Sequence, residues 1–255
     1  MRIAVLMKAV VEPESRIDLD ADGRVKSDNF SYELNEYDLY AVEEAIRLAE
    51  PHDAQVTVVG LGPEAAVQGL RKGLAMGAHD AVFIESGGFL ADAAASAAML
   101  AAALEPLAPD LVLAGVESDD LGSSQVGVLV AEKLGYPCVT MSIGVQLADP
   151  GTVRVRRELE AGTYLNLDVA LPAVLTIQTG INEPRYPSLK GIMAAKRKEL
   201  ARLDLASLGG EPGPLVETFE LSYPPPRERA EMLEGAPDAV VADLLKVLRE
   251  KEKVI

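Results

Sequence analysis

"AQVTVVGLGPEAAVQGLRKGLAMGAHDAVFIE", residues 54–85, reads as strand, helix, strand. Residues 54–62 form an apolar run of strand length. Pro63 opens the next segment as a first-turn proline does, and Gly77 closes it as a C-cap. "DAVFIE" is then a second short apolar strand. The same alternation extends in both directions. "RIAVLMKAV" (2–10) is a strand, and "DLYAVEEAIRLAE" (38–50) is a helix with Leu39, Val42, Ile46 and Ala49 on one side. Downstream come a helix at "ADAAASAAMLAAALEP", a strand at "PDLVLAGV" and a helix near "SSQVGVLVAEKLG". Apolar strands separated by helices predict a mostly parallel sheet covered on both faces, a doubly wound α/β fold. The one break in the rhythm is the stretch 11–35.

After Pro137 the pattern changes. "TMSIGVQLADPGTVRVRRELEAGTYLNLDVALPAVLTIQTG" (140–180) alternates, carries a turn signal at "DPGT" and has no helical period. It predicts antiparallel strands extending the sheet. "NEPRYPSLKGIMAAKRK" (182–198) then reads as a loop, since Pro184 and Pro187 interrupt helix and strand alike around a single apolar Leu189. Residues 1–200 are expected to form the α/β domain, including this loop, and 201–255 a C-terminal arm. The arm is rich in Gly and Pro ("GGEPGP", "PPPRER") and ends in a helix with Val240, Leu244, Val247 and Leu248 on one stripe. Such a stripe needs a surface, either its own domain or another chain.

Composition excludes several classes. The 255 residues, 49% apolar, are enough for a substantial core. Forty acidic against 24 basic residues give a formal charge of -16, which speaks against nucleic-acid binding. One cysteine, Cys138, and two histidines predict neither an intrachain disulfide nor a histidine-rich metal site. No long apolar run predicts membrane insertion, and with a strand starting at Arg2 the expectation is a cytoplasmic protein without a leader. P-loop, nucleophile-elbow, Cys-x-x-Cys and G-x-G-x-x-G motifs are all missing, so hydrolase and dehydrogenase readings lose their usual support.

Two loops remain as candidates. Gly60 and Gly62 lie between a strand and a helix, where backbone N–H groups can meet a phosphate; an ordinary tight turn explains them equally. "GVESDDLGSSQVGVLVAEKLG" (115–135) is stronger. After a strand it runs through Glu117, Ser118, Asp119, Asp120, Gly122, Ser123, Ser124 and Gln125 into a helix that either serine could cap. Hydroxyls and backbone donors at a helix start suit a phosphate, whereas the carboxylates suit ribose hydroxyls or the adenine side. A solvated loop with a serine cap is the alternative. In open α/β sheets ligands sit beyond the strand carboxyl ends at the switch in strand order, and the loops after strands one, two and four converge there. This favours an adenine-nucleotide-binding type of sheet.

The chain also resembles the beta subunit of electron-transfer flavoprotein. The resemblance runs through "VLMKAVVEPESRIDLDADGRV" (5–25), "NEYDLYAVEEAIRL" (35–48), "GLRKGLAMGAHDAV" (69–82), the 115–135 loop, "LPAVLTIQTGINEPRYPSLKGIMAAKRK" (171–198) and the closing "EKVI". It implies an electron-carrier subunit without a bond-making active site, paired with an alpha subunit that holds the redox-active FAD while this subunit holds a structural AMP. The AMP site would draw on Leu6, Asn35, Glu36, Tyr37, Asp38, Leu61 and the loop Ser118, Asp119, Asp120, Leu121, Gly122, Ser123, Ser124, Gln125 and Val126, mostly through backbone. Electrons would come from acyl-CoA and related dehydrogenases, as in fatty acid oxidation, and leave to a membrane quinone oxidoreductase. Residues 182–198 would be the recognition loop, with Leu189 inserted into the dehydrogenase, Tyr186, Ile192 and Met193 beside it, and Lys190, Lys196, Arg197 and Lys198 as a basic rim. The arm would pack on the alpha subunit. Pro13 stands where some members carry an aromatic residue near the flavin. An electron-bifurcating branch binds a second FAD in place of AMP, so both ligands stay open. A stress-type nucleotide-binding module would share the sheet but explains neither the arm nor the basic segment.

Overall fold

The computed structural model describes residues 1–255 except 13, 27–29, 87–91, 211, 214, 217–219 and 227–229. Pro13 therefore lies outside the described residues. The elements run β1 (Arg2–Met7), β2 (Ala9–Val11), β3 (Tyr32–Leu34), α1 (Glu36–Ala49), β4 (Gln55–Gly62), α2 (Ala66–Met76), β5 (Asp80–Glu85), α3 (Ala93–Leu104), β6 (Leu111–Gly115) and α4 (Val126–Leu134). They continue as β7 (Cys138–Leu147), β8 (Thr152–Glu158), β9 (Tyr164–Ala170), β10 (Ala173–Ile177), α5 (Leu189–Arg197), β11 (Ala201–Asp204) and α6 (Pro237–Lys246).

Among the described residues nine strands form one sheet in the order β11-β5-β4-β1-β6-β10-β7-β8-β9, while β2 and β3, at the two ends of the stretch that broke the sequence rhythm, pair antiparallel in a small sheet. The fold is thus doubly wound α/β with an antiparallel extension, β7-β8-β9, at one side. Strand β1 lies between two parallel neighbours, with Ile3 opposite both Val56 and Leu111. The chain builds outward from β1 to β4 and β5, then returns to place β6 on the other side of β1. That reversal is the topological switch point, where α/β sheets leave a crevice beyond the strand ends.

Period-two alternation explains why both faces are covered. Ile3, Val5 and Met7 of β1 enter one buried cluster with Ala41, Val42 and Ile46 of α1 and Leu70 and Leu74 of α2. Ala4 and Leu6 enter the other, with Ala97, Leu100 and Leu104 of α3 and Val130 and Ala131 of α4. Each residue step along the strand changes face, so a strand buried on both sides reads as a continuous apolar run.

Several expectations need correction. Pro63 is not in the first turn of α2. It precedes the helix in a turn whose carbonyl accepts the N–H of Ala66 at 2.8 Å. Gly77 does close α2, at φ +135°. The stretch after Pro137 is not all antiparallel. β10 returns to the centre, parallel to both β6 and β7, because "AVLTI" is buried at every residue and so suits an inner strand rather than a half-exposed meander. Residues 189–197 are a helix, not a loop. Pro184 and Pro187 lie before it, and the Ser188 hydroxyl caps it by accepting the Gly191 N–H at 3.0 Å. β11 pairs parallel with β5, and the first compact unit extends over 1–219. The second unit, 220–255, contains α6, a turn of π helix at Val247–Lys251 and an ion pair between Lys251 and Glu231 at 3.5 Å.

Candidate functional site

The carboxyl ends of β1, β4 and β6 open into one cavity of about 390 Å³, a size within the usual range for small-molecule sites. Leu6, Met7 and Lys8 enter it from β1, Leu61 from β4, and Ala114 and Gly115 from β6. The loop after β6, Asn35 and Asp38 at the start of α1, the starts of α3 and α4, and Val216 supply the remaining wall.

Asp38 sits where β1 and β6 part. Its Oδ2 accepts the Lys8 N–H at 2.7 Å and its Oδ1 the Gly115 N–H at 3.0 Å. Strand ends that diverge at a switch point lose their pairing, and one carboxylate from α1 satisfies both. Burial pushes the Asp38 carboxyl up to about 7, against the opposing pull of these donors. Gly115 has no alternative here. A Cβ on it would stand 2.5 Å from Asp38 Oδ1 and 2.6 Å from Tyr37 Cβ.

Asn35, 1% exposed, orders the loop after β6. Its Nδ2 donates to the Glu117 carbonyl at 2.9 Å, and its Oδ1 accepts the Asp119 N–H at 3.0 Å. The Asp119 carboxylate in turn accepts the Glu36 N–H at 2.8 Å. The Tyr37 hydroxyl donates to Glu117 Oε1 at 2.8 Å and the Ser124 hydroxyl to Oε2 at 3.1 Å. That bond to Glu117, with burial, raises the Tyr37 phenol. Lys8 Nζ donates to Asp120 at 2.6 Å and to the Ser118 hydroxyl at 3.2 Å. Neither serine caps α4. Its N-cap is Gln125, which makes no side-chain cap bond, and Ser124 adopts φ +53° with its hydroxyl turned to Glu117. The first-turn N–H groups of α4 are therefore without a side-chain cap at the point where Val126 and Gly127 line the cavity.

Of the residues singled out from the sequence, Leu6, Asn35, Asp38, Leu61, Glu117, Ser118, Leu121, Ser123, Ser124, Gln125 and Val126 line the cavity. Glu36, Tyr37, Asp119, Asp120 and Gly122 do not. The first four tie the loop in place, and Gly122, at φ +57°, turns it, its N–H bonded to the Ser118 carbonyl at 2.8 Å. Gly60 and Gly62 are not cavity residues either. A Cβ on Gly60 would lie 3.1 Å from Leu70, so that glycine serves the close approach of β4 and α2. Sequence reasoning missed Lys8, Gly115, Asp92 and Val216. Lys8 directly follows the apolar β1 and Gly115 closes the apolar β6, so both were detectable as strand-end residues. Nothing local signalled Asp92 and Val216, which the fold brings together from distant parts of the chain.

A family model described as the electron transfer flavoprotein domain matches residues 25–208. Along its whole length the chain is 37% identical to the electron transfer flavoprotein subunit beta of Bacillus subtilis (strain 168), all of which is covered. The chain belongs to the electron transfer flavoprotein beta-subunit family. It is also 35% identical to the subunit beta of Methylophilus methylotrophus, with 98% of each chain covered. A third relative, the acryloyl-CoA reductase electron transfer subunit gamma of Anaerotignum propionicum, is 33% identical with both chains fully covered.

The segment that matches this family around residues 182–198 is held on two elements. Arg185 bridges Glu43 (Nε–Oε2 2.8 Å, Nη2–Oε1 3.1 Å) and Glu50 (2.7 Å) of the α1 region, and Asn182 Nδ2 donates to Glu44 at 2.9 Å and the Tyr40 carbonyl at 3.1 Å. Beyond it, α5 lies on α2. Ala195 is buried, its carbonyl accepts from Arg71 at 2.5 Å, and a Cβ on Gly191 would stand 2.5 Å from the Ala75 carbonyl. Tyr186, Leu189, Ile192 and Met193 are exposed, Leu189 to 83%. Lys190, Lys196 and Arg197 are exposed around them. Lys198 is not a free member of that rim, because its ammonium donates to the His79 and Ala78 carbonyls. Among the described residues no three metal-ligating side chains cluster, and no helix is long and apolar enough to cross a membrane.

Proposed function

We propose that this chain is the nucleotide-holding, partner-anchoring half of a two-chain electron carrier, paired with an alpha subunit. The observation that carries the reading is the cavity at the switch point, built by the same loops that the family resemblance assigns to AMP. The fit is chemical as well as positional. The uncapped start of α4 suits a phosphate, and Glu117, Asp38 and the apolar Leu6 and Leu61 suit a ribose and an adenine. In this reading AMP steadies the subunit and FAD resides mainly in the alpha subunit, where it supplies the electron-carrying chemistry. Electrons come from acyl-CoA and related dehydrogenases and pass towards a quinone oxidoreductase in the cytoplasm. The subunit itself makes and breaks no bonds. The second unit, with exposed Val241, Leu244 and Leu245 on α6, packs on the alpha subunit.

Co-production of this chain with its alpha subunit, followed by denaturation and mass spectrometry, tests the ligand. AMP from this subunit's site is the expected result. A second FAD per heterodimer would assign the bifurcating type, and the absence of any adenine compound would overturn the reading.

Leu189 is the expected dehydrogenase anchor. Being the first residue of a helix fixed to α2, it is presented at little entropic cost on docking, and a central anchor of this kind contributes about 2 kcal/mol. Leu189→Ala should therefore lower the kcat/KM for reduction by the dehydrogenase roughly tenfold to thirtyfold at unchanged flavin content and thermal stability. Wild-type kinetics in the variant would remove the anchor role.

A further inference from the structure

Asp92 performs two tasks with its two carboxylate oxygens. Oδ1 accepts the N–H groups of Ala94 at 2.6 Å and Ala95 at 3.0 Å, capping α3. Oδ2 accepts the N–H groups of Leu215 at 2.5 Å and Val216 at 2.8 Å. Four backbone donors, the Ala95 N–H foremost, hold this carboxyl below the usual carboxylate range. Asp92 is buried, whereas Leu215 and Val216 are 81% and 69% exposed, so side-chain packing does little to fix them. The carboxylate does.

Asp92 and Val216 stand together in the wall of the nucleotide cavity, on the side formed by Ala93, Ser96 and Leu100 of α3. Much of the rest of that wall is fixed by other means. Strand ends and helix starts belong to the core, and the loop after β6 is tied down by Asn35, Tyr37 and Lys8. The geometry points to Asp92, Leu215 and Val216 as the closure of the cavity: adenylate enters and leaves when two N–H groups part from one carboxylate. This rests on the nucleotide reading above. Asp92 is thus a positioning residue for the connector that leads on to the second unit, which begins at residue 220.

The test uses the full chain co-purified with its alpha subunit, loaded with the fluorescent probe etheno-AMP and chased with AMP. Asp92→Ser keeps a good cap for α3 but withdraws the acceptor from the connector. Val216→Pro leaves Asp92 intact and removes one of the two donors. Release should be at least about tenfold faster in D92S and severalfold faster in V216P, with thermal midpoints close to wild type. Release at the wild-type rate from folded D92S, or from V216P should D92S not fold, overturns the closure while leaving the site. A wild-type complex that takes up no adenylate at all overturns the nucleotide reading and the closure with it.

Discussion

Replacing Gly115 by alanine is expected to lower the thermal midpoint by about 6–12 °C and, on the nucleotide reading proposed above, to empty the cavity. The added methyl would lie 2.5 Å from Asp38 Oδ1, 2.6 Å from Tyr37 Cβ and 3.0 Å from the Tyr37 carbonyl carbon. Two of these three atoms are not the ends of flexible side chains, so the start of α1 must shift relative to β6. Overpacking of this kind costs about 1–3 kcal/mol. Displacing Asp38 adds to it, because the N–H groups of Lys8 and Gly115 lose their common acceptor. For a unit of this size each kcal/mol moves the midpoint by roughly 2–4 °C. The loss of nucleotide follows from the same displacement, since Asn35, Asp38 and Gly115 all line the cavity. Gly213→Ala is the control. A Cβ there meets nothing within 4 Å, and its effect should stay within about 0.5 kcal/mol. A G115A protein with wild-type melting and nucleotide content would show that the α1–β6 contact yields more readily than its geometry implies.

Arg185→Ala should cost about 2–4 kcal/mol and also slow reduction by the dehydrogenase. Glu43 is 6% exposed at its side chain and receives Arg185 at both oxygens, with the Arg185 backbone N–H adding a third bond at 3.2 Å. Without the guanidinium, a buried carboxylate keeps only that backbone donor. The cost stays below that of breaking a fully buried pair because Arg185 is 35% exposed and its bond to Glu50 faces solvent. Glu43→Gln in the R185A background should recover part of the lost stability by removing the stranded charge, a recovery that a mere loss of side-chain volume does not predict. Differential calorimetry with dehydrogenase-coupled flavin reduction separates this variant from L189A. L189A should slow the reaction without a change in melting, whereas R185A should do both. Melting of R185A within about 0.5 kcal/mol of wild type would show that Asn182 and the backbone N–H of residue 185 suffice to hold the segment to α1.

Much of the first unit was legible in the sequence. The apolar runs of β1, β4, β5 and β6 and the spacing of α1, α2 and α4 are local properties, set by which residues lie within one helical turn or on one side of a pleat. The loops that line the cavity were legible too, because in an open α/β sheet a crevice lies beyond the strand ends at the switch in strand order. Errors arose where a segment's neighbours decide its state. "AVLTI" reads much the same in a meander as in a central strand until β6 and β7 are placed on either side of it. Residues 189–197 read as a loop while the prolines dominate. The helix forms because Ser188 caps it and α2 accepts its Gly191 and Ala195 face at close range.

By itself, then, the sequence determined the layers, the crevice and the residues that flank it, since periodicity and strand ends are written in consecutive residues. Only the tertiary structure decided which polar groups meet. Lys8 reaches Asp120 across 112 residues, Asn182 reaches Glu44 across 138, and Asp92 holds Val216 across 124. Those pairings depend on strand order and helix placement, which bring distant segments within the 3 Å that a hydrogen bond requires, and no local pattern specifies that distance.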